Sequence, residues 1–226
     1  TSQEFGDFDA ATTGYQLNLS SNTPVQYRRH ALLRIAELSL MRTNFTKAMD
    51  TLQDFLDRFP GDSAADAALL ALGELELTQH MSATGTNLTE SATNNYCSRA
   101  RGRFEKLLRD QPNSPLAGKA LLNLGWCLWA ETNYAASETA FSQAVERLPL
   151  SEDQAVARFK WADSQFMRSN YWGALNNYHF VTAYYGSVPE VKETMLEPAL
   201  YQTVRAALYV DDLSAATNAL RKIFAW

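Results

Sequence analysis

The chain has 226 residues, of which 46% are hydrophobic, so it can bury a core without the help of metals or disulfides. Its formal net charge is −5, which argues against nucleic-acid binding, because that binding depends on clustered lysines and arginines. No run of residues approaches the ~18 apolar residues that a membrane-spanning helix needs, so no span is expected in this segment.

One pattern recurs along the chain. It has an aromatic or similar residue, a small residue three positions later, and an aromatic residue or leucine after seven positions. The six copies are Phe8/Ala11/Tyr15, Phe45/Ala48/Leu52, Cys97/Ala100/Phe104, Tyr134/Ser137/Phe141, Tyr171/Ala174/Tyr178 and Leu213/Ala216/Leu220. The steps between copies are 37, 52, 37, 37 and 42 residues. These spacings place the three residues on one face of a helix, so the pattern predicts a repeated helical unit.

Each of the first five copies is followed by a helix stop, which predicts where the units end. Proline and glycine end helices because proline lacks an N–H and glycine readily takes left-handed dihedrals. The stops are Thr23-Pro24, Phe59-Pro60, Gln111-Pro112, Leu148-Pro149 and Tyr185-Gly186. In chain order we expect the second helix of a truncated repeat, a complete repeat, a repeat with a 15-residue insertion at 79–93, two more complete repeats and an incomplete final repeat. Their bounds are 1–24, 25–60, 61–112, 113–149, 150–190 and 191–226.

Small residues are expected where the two helices of each unit cross. Those of the first helix are Ala36, Gly73, Gly125 and Ala162, and those of the second helix are Ala48, Ala100, Ser137 and Ala174. A large side chain at these positions would push the two backbones apart. The insertion at 79–93 is polar, and we expect an exposed loop or two helix extensions there.

Together these features resemble the tetratricopeptide repeat (TPR) family: a small residue in helix A, an aromatic residue at the turn, alanine and an aromatic residue in helix B, and a closing proline. The resemblance implies an all-α fold, a right-handed solenoid of stacked antiparallel helical hairpins. Residues 57–68 and 110–117 are similar to the longer-period repeats of bacterial cell-envelope TPR proteins of the BamD and Tol-Pal coordinator type. That similarity implies a periplasmic or cell-envelope location.

The resemblance also implies where a partner would bind. In this family helix A lines a concave groove that commonly binds segments of other proteins. The residue three positions before the small helix-A residue lies on the same helix face as the residues one and four positions after it. The predicted groove residues are Leu33, Glu37, Leu70, Glu74, Leu122, Trp126, Trp129, Phe159, Asp163, Phe166, Tyr201 and Arg205. The alternative is that Trp126, Trp129 and Phe166 pack against neighbouring helices.

The sequence carries no arrangement typical of catalysis. His30, His80 and His179 are far apart, and no metal-ligand spacing or glycine-rich phosphate loop is present. We therefore expect no enzyme activity, no cofactor and no metal. We expect Cys97 and Cys127 to be two buried free thiols, and the alternative is a disulfide between them. The predicted function is a non-catalytic scaffold that binds a protein or peptide. The alternative is a structural spacer or self-assembling array that uses the convex face or the ends.

Overall fold

The computed structural model describes residues 2–83 and 90–225, and the side chains of residues 8–82 and 95–225. These residues form twelve helices and no strand, so the all-α prediction is confirmed for the described part of the chain. The helices are α1 Ser2–Leu17, α2 Val25–Met41, α3 Phe45–Arg58, α4 Ala65–Ala83, α5 Glu90–Asp110, α6 Ala117–Ala130, α7 Tyr134–Arg147, α8 Glu152–Met167, α9 Tyr171–Tyr184, α10 Pro189–Thr194, α11 Leu196–Tyr209 and α12 Leu213–Phe224. Over the described residues, none of these helices combines the length and apolar character needed to span a membrane.

Two segments differ from a simple succession of hairpins. Of the predicted insertion, residues 79–83 continue α4 and residues 90–93 belong to α5, while residues 84–89 lie outside the described residues. After the stop at Tyr185-Gly186, the chain enters the short helix α10. Pro189 stands in its first turn, where the missing N–H costs nothing, and Val191 is fully buried.

The chain divides into two compact units, Thr1–Lys106 and Leu107–Trp226, with the division inside α5. In the first unit, α2 and α3 form a hairpin whose buried residues include Leu32, Ile35 and Phe55. Within the same unit, α4 meets α5 at Gly73. A Cβ atom at Gly73 would lie 2.6 Å from Cε1 of Phe104, so the ring occupies the space of the absent side chain.

The second unit contains the hairpins α6–α7, α8–α9 and α11–α12. Its buried clusters are built around Phe141, Tyr178 and Tyr185. Ser137 Oγ donates a hydrogen bond of 3.0 Å to the backbone oxygen of Gly125, which joins α7 to α6 where their backbones approach. The predicted small-residue crossing is thus present in this hairpin.

The same turn joins the two helices in four hairpins. A residue with positive φ ends helix A, and the next residue caps helix B through its side-chain oxygen. The positive-φ residues are Thr43, Thr132, Ser169 and Asp211, and the caps are Asn44, Asn133, Asn170 and Asp212. Each capping residue also donates its own N–H to a carbonyl five residues earlier, which is the hydrogen bond of a Schellman motif.

Ion pairs connect different segments within each unit. In the first unit, Arg42 at the end of α2 bonds to Asp9 of α1, and Arg29 of α2 bonds to Asp62 just before α4. The hydrogen bond from Arg29 holds the pKa of Asp62 below its usual range. In the second unit, Arg168 bonds to Glu138.

The first unit also contains a buried carboxylate. Glu76 of α4 is fully buried, with one oxygen 2.7 Å from Nη2 of Arg99 and the other 3.5 Å from Nε of Arg103. These are ion-pair distances, although neither oxygen is aligned as a directed hydrogen-bond acceptor. The charge of Glu76 is therefore balanced by two arginines of α5 that remain partly hydrated.

Candidate functional site

The predicted groove residues of the first unit form no aromatic surface. Leu33 and Glu74 are partly buried, and Leu70 is buried. Glu37 is exposed, and its carboxylate accepts a hydrogen bond of 2.6 Å from Arg34 of the same helix. This face of the first unit offers a partner little apolar area.

Five of the predicted positions of the second unit are aromatic, and four of these rings are partly buried, each against a ring of helix B. The ring centroids are 4.9–6.1 Å apart, with the edge of one ring against the face of another. The pairs are Trp126 with Phe141, Trp129 with Tyr134, Phe159 with Tyr178, and Phe166 with Tyr171. Leu122 is buried in the core between α6 and α7. The rings therefore pack inward and keep part of their surface exposed.

Lys160 lies among three of these rings. Its Nζ is 4.8 Å from the ring centroid of Trp126, 5.1 Å from that of Trp129 and 5.7 Å from that of Phe159. The same ammonium donates a hydrogen bond of 2.7 Å to Oδ2 of Asp163. Lys160 is thus held in place by its own chain through cation–π contacts and an ion pair.

Asp163 is buried and accepts a second hydrogen bond on its other oxygen. The donor is the hydroxyl of Tyr178, at 2.6 Å. Burial, followed by the neighbouring Asp163 carboxylate, raises the pKa of Tyr178 well above its usual range. Since Lys160 and Tyr178 already satisfy Asp163, this carboxylate ties α8 to α9 and is poorly placed to bind a ligand directly.

Arg205 of α11 is the less constrained cation. Its guanidinium lies over the ring of Phe166, 4.8 Å from the centroid, and Nη1 donates a hydrogen bond of 2.9 Å to Gln202. It borders a cavity of about 220 Å³, which we call the aromatic groove. The groove is lined by Trp129, Asp163, Phe166, Met167, Tyr178, Gln202 and Arg205. Four of these seven residues are predicted groove positions, whereas Tyr201 is exposed outside this lining.

The chemistry of the aromatic groove suits binding. It combines the apolar surfaces of Trp129 and Phe166 with the N–H groups of Arg205, which can donate to a carbonyl or carboxylate. Over the part of the chain that the structure describes, no cluster of three or more histidines, cysteines, aspartates or glutamates could hold a metal ion. Cys97 and Cys127 are both buried as thiols.

Sequence reasoning missed four residues of this region. Lys160 lies three positions before Asp163 on α8, so an i,i+3 charge pair was a signal that could have identified it. Tyr178 belongs to helix B and reaches Asp163 from the neighbouring helix, which no spacing within helix A reveals. Met167 follows Phe166 in the sequence, and Gln202 follows Tyr201. Neither residue lies on the helix face that the three offsets select.

The described helices form a helical repeat array of the TPR type. Residues 30–62 match the family model described as "Tetratricopeptide repeat". This match covers the second part of α2, all of α3 and the turn after it. No curated protein matches the sequence.

Three solved structures share this fold over 87–99% of the chain. MamA is 14% identical, with 87% of this chain and 90% of that chain covered and a TM-score of 0.66. BtubC from P. vanneervenii is 11% identical, with coverage of 99% and 89% and a TM-score of 0.68. YrrB, described as a TPR protein with an unusual peptide-binding site, is 18% identical, with coverage of 93% and 91% and a TM-score of 0.66. At these identities the likeness concerns the fold alone.

Proposed function

We propose that this chain is a non-catalytic scaffold whose second unit binds a peptide segment of a partner protein in the aromatic groove. The observation that carries this proposal is the position of Arg205. Its guanidinium lies against Phe166 at the edge of a 220 Å³ cavity whose other walls include Trp129. Tryptophan, tyrosine and arginine dominate the energetic centres of protein interfaces, because they combine large apolar area with directed hydrogen bonds.

The groove chemistry favours one kind of peptide. An apolar or aromatic anchor would fill the space between Trp129 and Phe166, and a backbone carbonyl or an acidic side chain next to it would accept from Arg205. Lys160 contributes less to recognition, because Asp163 and three rings already surround its ammonium. The peptide-binding site described for YrrB supports this use of a similarly folded chain.

Photo-crosslinking tests the proposal directly. The photoreactive amino acid p-benzoylphenylalanine would replace Tyr201 beside Gln202 on α11, and in a second protein Tyr184 on α9. Both tyrosines are exposed to a similar degree, 58% and 62%, so the two proteins present the probe equally to solvent. After irradiation in cells of the source organism, we expect a defined adduct from the Tyr201 position and none of the same mass from the Tyr184 position.

A groove variant separates specific capture from random collision. Arg205→Ala in the Tyr201 probe protein removes the guanidinium without changing an ion pair, because Arg205 bonds only to the neutral Gln202 among described side chains. The adduct should fall at least fivefold, which corresponds to about 1 kcal/mol of binding free energy. An adduct of unchanged yield, or one equally strong from Tyr184, would place the contact outside the aromatic groove.

We also propose a cell-envelope location for the protein, supported by the sequence similarity of residues 57–68 and 110–117 to long-period envelope TPR repeats. Fractionation of source cells with an antibody to the chain tests this location. Recovery with periplasmic or envelope markers supports it, and recovery with cytoplasmic markers alone refutes it.

A further inference from the structure

A second groove of the second unit lies between α9 and α12 and is also lined by α11. It encloses about 390 Å³. We call it the α9–α12 groove. Its apolar floor includes Leu175, Leu200 and Ala219, which are all buried. On one rim stands Trp172, whose side chain is 57% exposed. No residue of this groove belongs to the aromatic groove.

The α9–α12 groove is open because α12 carries small side chains on this face. Aligning Leu213 with Tyr171 places Ser214 at the position that Trp172 occupies on α9. The same alignment places Lys222 at the position of Phe180. Replacing a tryptophan with a serine leaves room for another group against the floor, and replacing a phenylalanine with a lysine adds a cation at the far end.

Four polar side chains around the groove have no partner among the described residues, and one of them is a cation. Lys222, His179, Asn176 and Asn218 are exposed, and among described residues their side chains form no hydrogen bond or ion pair. The single acidic residue of the lining, Asp212, is partly engaged, because its Oδ1 accepts a hydrogen bond of 2.9 Å from the backbone N–H of Ala215. The groove therefore presents an apolar floor beside a lysine that forms no ion pair with any described residue.

We propose that the α9–α12 groove is a second binding site, which takes an acidic amphipathic peptide of a partner protein. A leucine or aromatic side chain of the peptide would cover Leu175 and Ala219 beside Trp172, and its carboxylate would pair with Lys222. A peptide fits better than a small metabolite, because the rim side chains are exposed and would leave a small molecule largely in water. This site is independent of the aromatic groove, and it makes the chain a scaffold with two separate contacts.

The test uses a fluorescein-labelled, end-blocked peptide of twelve residues that alternates glutamate with leucine, and a matched peptide with lysine in place of glutamate. Fluorescence anisotropy measures binding to the whole chain, and the indole N–H signal of Trp172, assigned from Trp172→Phe, reports the location. We expect the glutamate peptide to bind with a Kd of about 100 μM and to shift that signal, with the lysine peptide at least tenfold weaker.

Variants on α12 supply the matched controls. Lys222→Glu and Ser214→Trp should each weaken the glutamate peptide about tenfold, the first by charge reversal and the second by filling the groove. Arg221→Glu makes the same charge change on the preceding residue of the helix, which does not line the α9–α12 groove. It should change the Kd less than about twofold. Circular dichroism of each variant confirms that it is folded.

Several results would overturn the proposal. These are equal binding of the two peptides, equal effects of Lys222→Glu and Arg221→Glu, or no binding at about 1 mM peptide. Loss of binding on Arg205→Ala, with Lys222→Glu silent, would assign the peptide to the aromatic groove. A Trp172 signal that shifts with protein concentration alone would assign the α9–α12 groove to a second copy of this chain.

Discussion

The ring of Phe141 lies in the space where Gly125 lacks a side chain. A Cβ atom at Gly125 would lie 2.5 Å from Cε1 and 2.6 Å from Cδ1 of Phe141, closer than side-chain carbons approach in folded proteins. The absence of a side chain on α6 thus allows a fully buried phenylalanine on α7. Gly73 and Phe104 have the same relationship in the first unit.

Gly125→Ala should destabilise the second unit, although alanine is the better helix former. The added methyl group must displace a fully buried ring, and overpacking of this kind costs about 1–3 kcal/mol. The gain in helix propensity returns up to about 1 kcal/mol. We expect a net loss of about 1–2 kcal/mol in the free energy of unfolding, measured by urea denaturation.

Two further variants test whether steric overlap with Phe141 causes the destabilisation by Gly125→Ala. Gly102 is exposed in the middle of α5 with nothing within 4 Å of its Cβ position, so Gly102→Ala should stabilise the chain by about 0.5–1 kcal/mol. Phe141→Leu combined with Gly125→Ala should cost less than the sum of the two single changes, since the shorter side chain makes room for the methyl group. Strict additivity would mean that the two residues do not compete for space.

Thr132→Gly should stabilise the α6–α7 hairpin. Thr132 has a φ of 59°, in the left-handed region that costs a residue with a Cβ atom about 1–2 kcal/mol. Glycine avoids this strain, but it also raises the conformational entropy of the unfolded chain, which offsets part of the gain. The expected net stabilisation is about 0.5–1 kcal/mol. Thr139→Gly, inside α7, is the control and should lower stability. Thermal unfolding followed by circular dichroism measures both, and a lower melting temperature for Thr132→Gly would refute the strain argument.

Tyr178→Phe should cost about 2 kcal/mol near neutral pH, because it removes a hydrogen bond to the buried Asp163 carboxylate. In the folded protein the pKa of Tyr178 is raised, so its contribution is fully present below the unfolded pKa of about 10 and declines as the pH rises above that value. The stability difference between parent and variant should therefore shrink above about pH 10. Urea denaturation at pH 8 and above pH 10 checks this, and a difference that grows with pH would contradict the assignment.

Glu76→Gln should destabilise the first unit by about 2 kcal/mol. The change removes the buried charge that balances Arg99 and Arg103, and the cost stays below that of a fully buried pair because both arginines remain partly hydrated. Glu105→Gln is the control: its contact with Arg101 is long, 3.8 Å, and exposed, so stability should change by less than about 0.5 kcal/mol. Equal losses in the two variants would show that the burial of Glu76 has no special effect.

The repeat could be predicted from the sequence because its signals are local. The aromatic and small residues recur at a constant step, and the crossing of Gly125 with Ser137 follows from that spacing. The turn of the hairpins was also readable: Thr43-Asn44, Thr132-Asn133 and Ser169-Asn170 stand at the same distance before the repeat pattern. In each pair the first residue has a positive φ and the second caps helix B. This turn therefore contains neither the glycine nor the proline that usually marks the end of a helix.

The site was predictable only in part, because side chains from different helices meet there. Helical offsets selected Trp129, Phe166 and Arg205, and the structure places these three residues around one cavity. They could not reveal that Lys160 turns toward the rings, since a lysine on a helix usually points into solvent. The α9–α12 groove had no signal within one helix, because it arises from the contrast between Trp172 and Ser214 on two helices that are far apart in sequence.

The sizes of the residues at equivalent positions of helices A and B differ between hairpins, and this has a consequence for how helices pair during folding. At equivalent positions of helices A and B, the hairpins hold Ala36 and Leu52, Gly125 and Phe141, and Val204 and Leu220. If helix A of one of these hairpins associated with helix B of another, Phe141 would meet a larger residue than Gly125, or Gly125 would meet a smaller residue than Phe141 and leave a void. Repeat chains are prone to such mispairing while they fold. We therefore expect the unequal pairs to favour association of each helix with its own neighbour. Swapping the pairs between hairpins should slow refolding more than it changes the final stability.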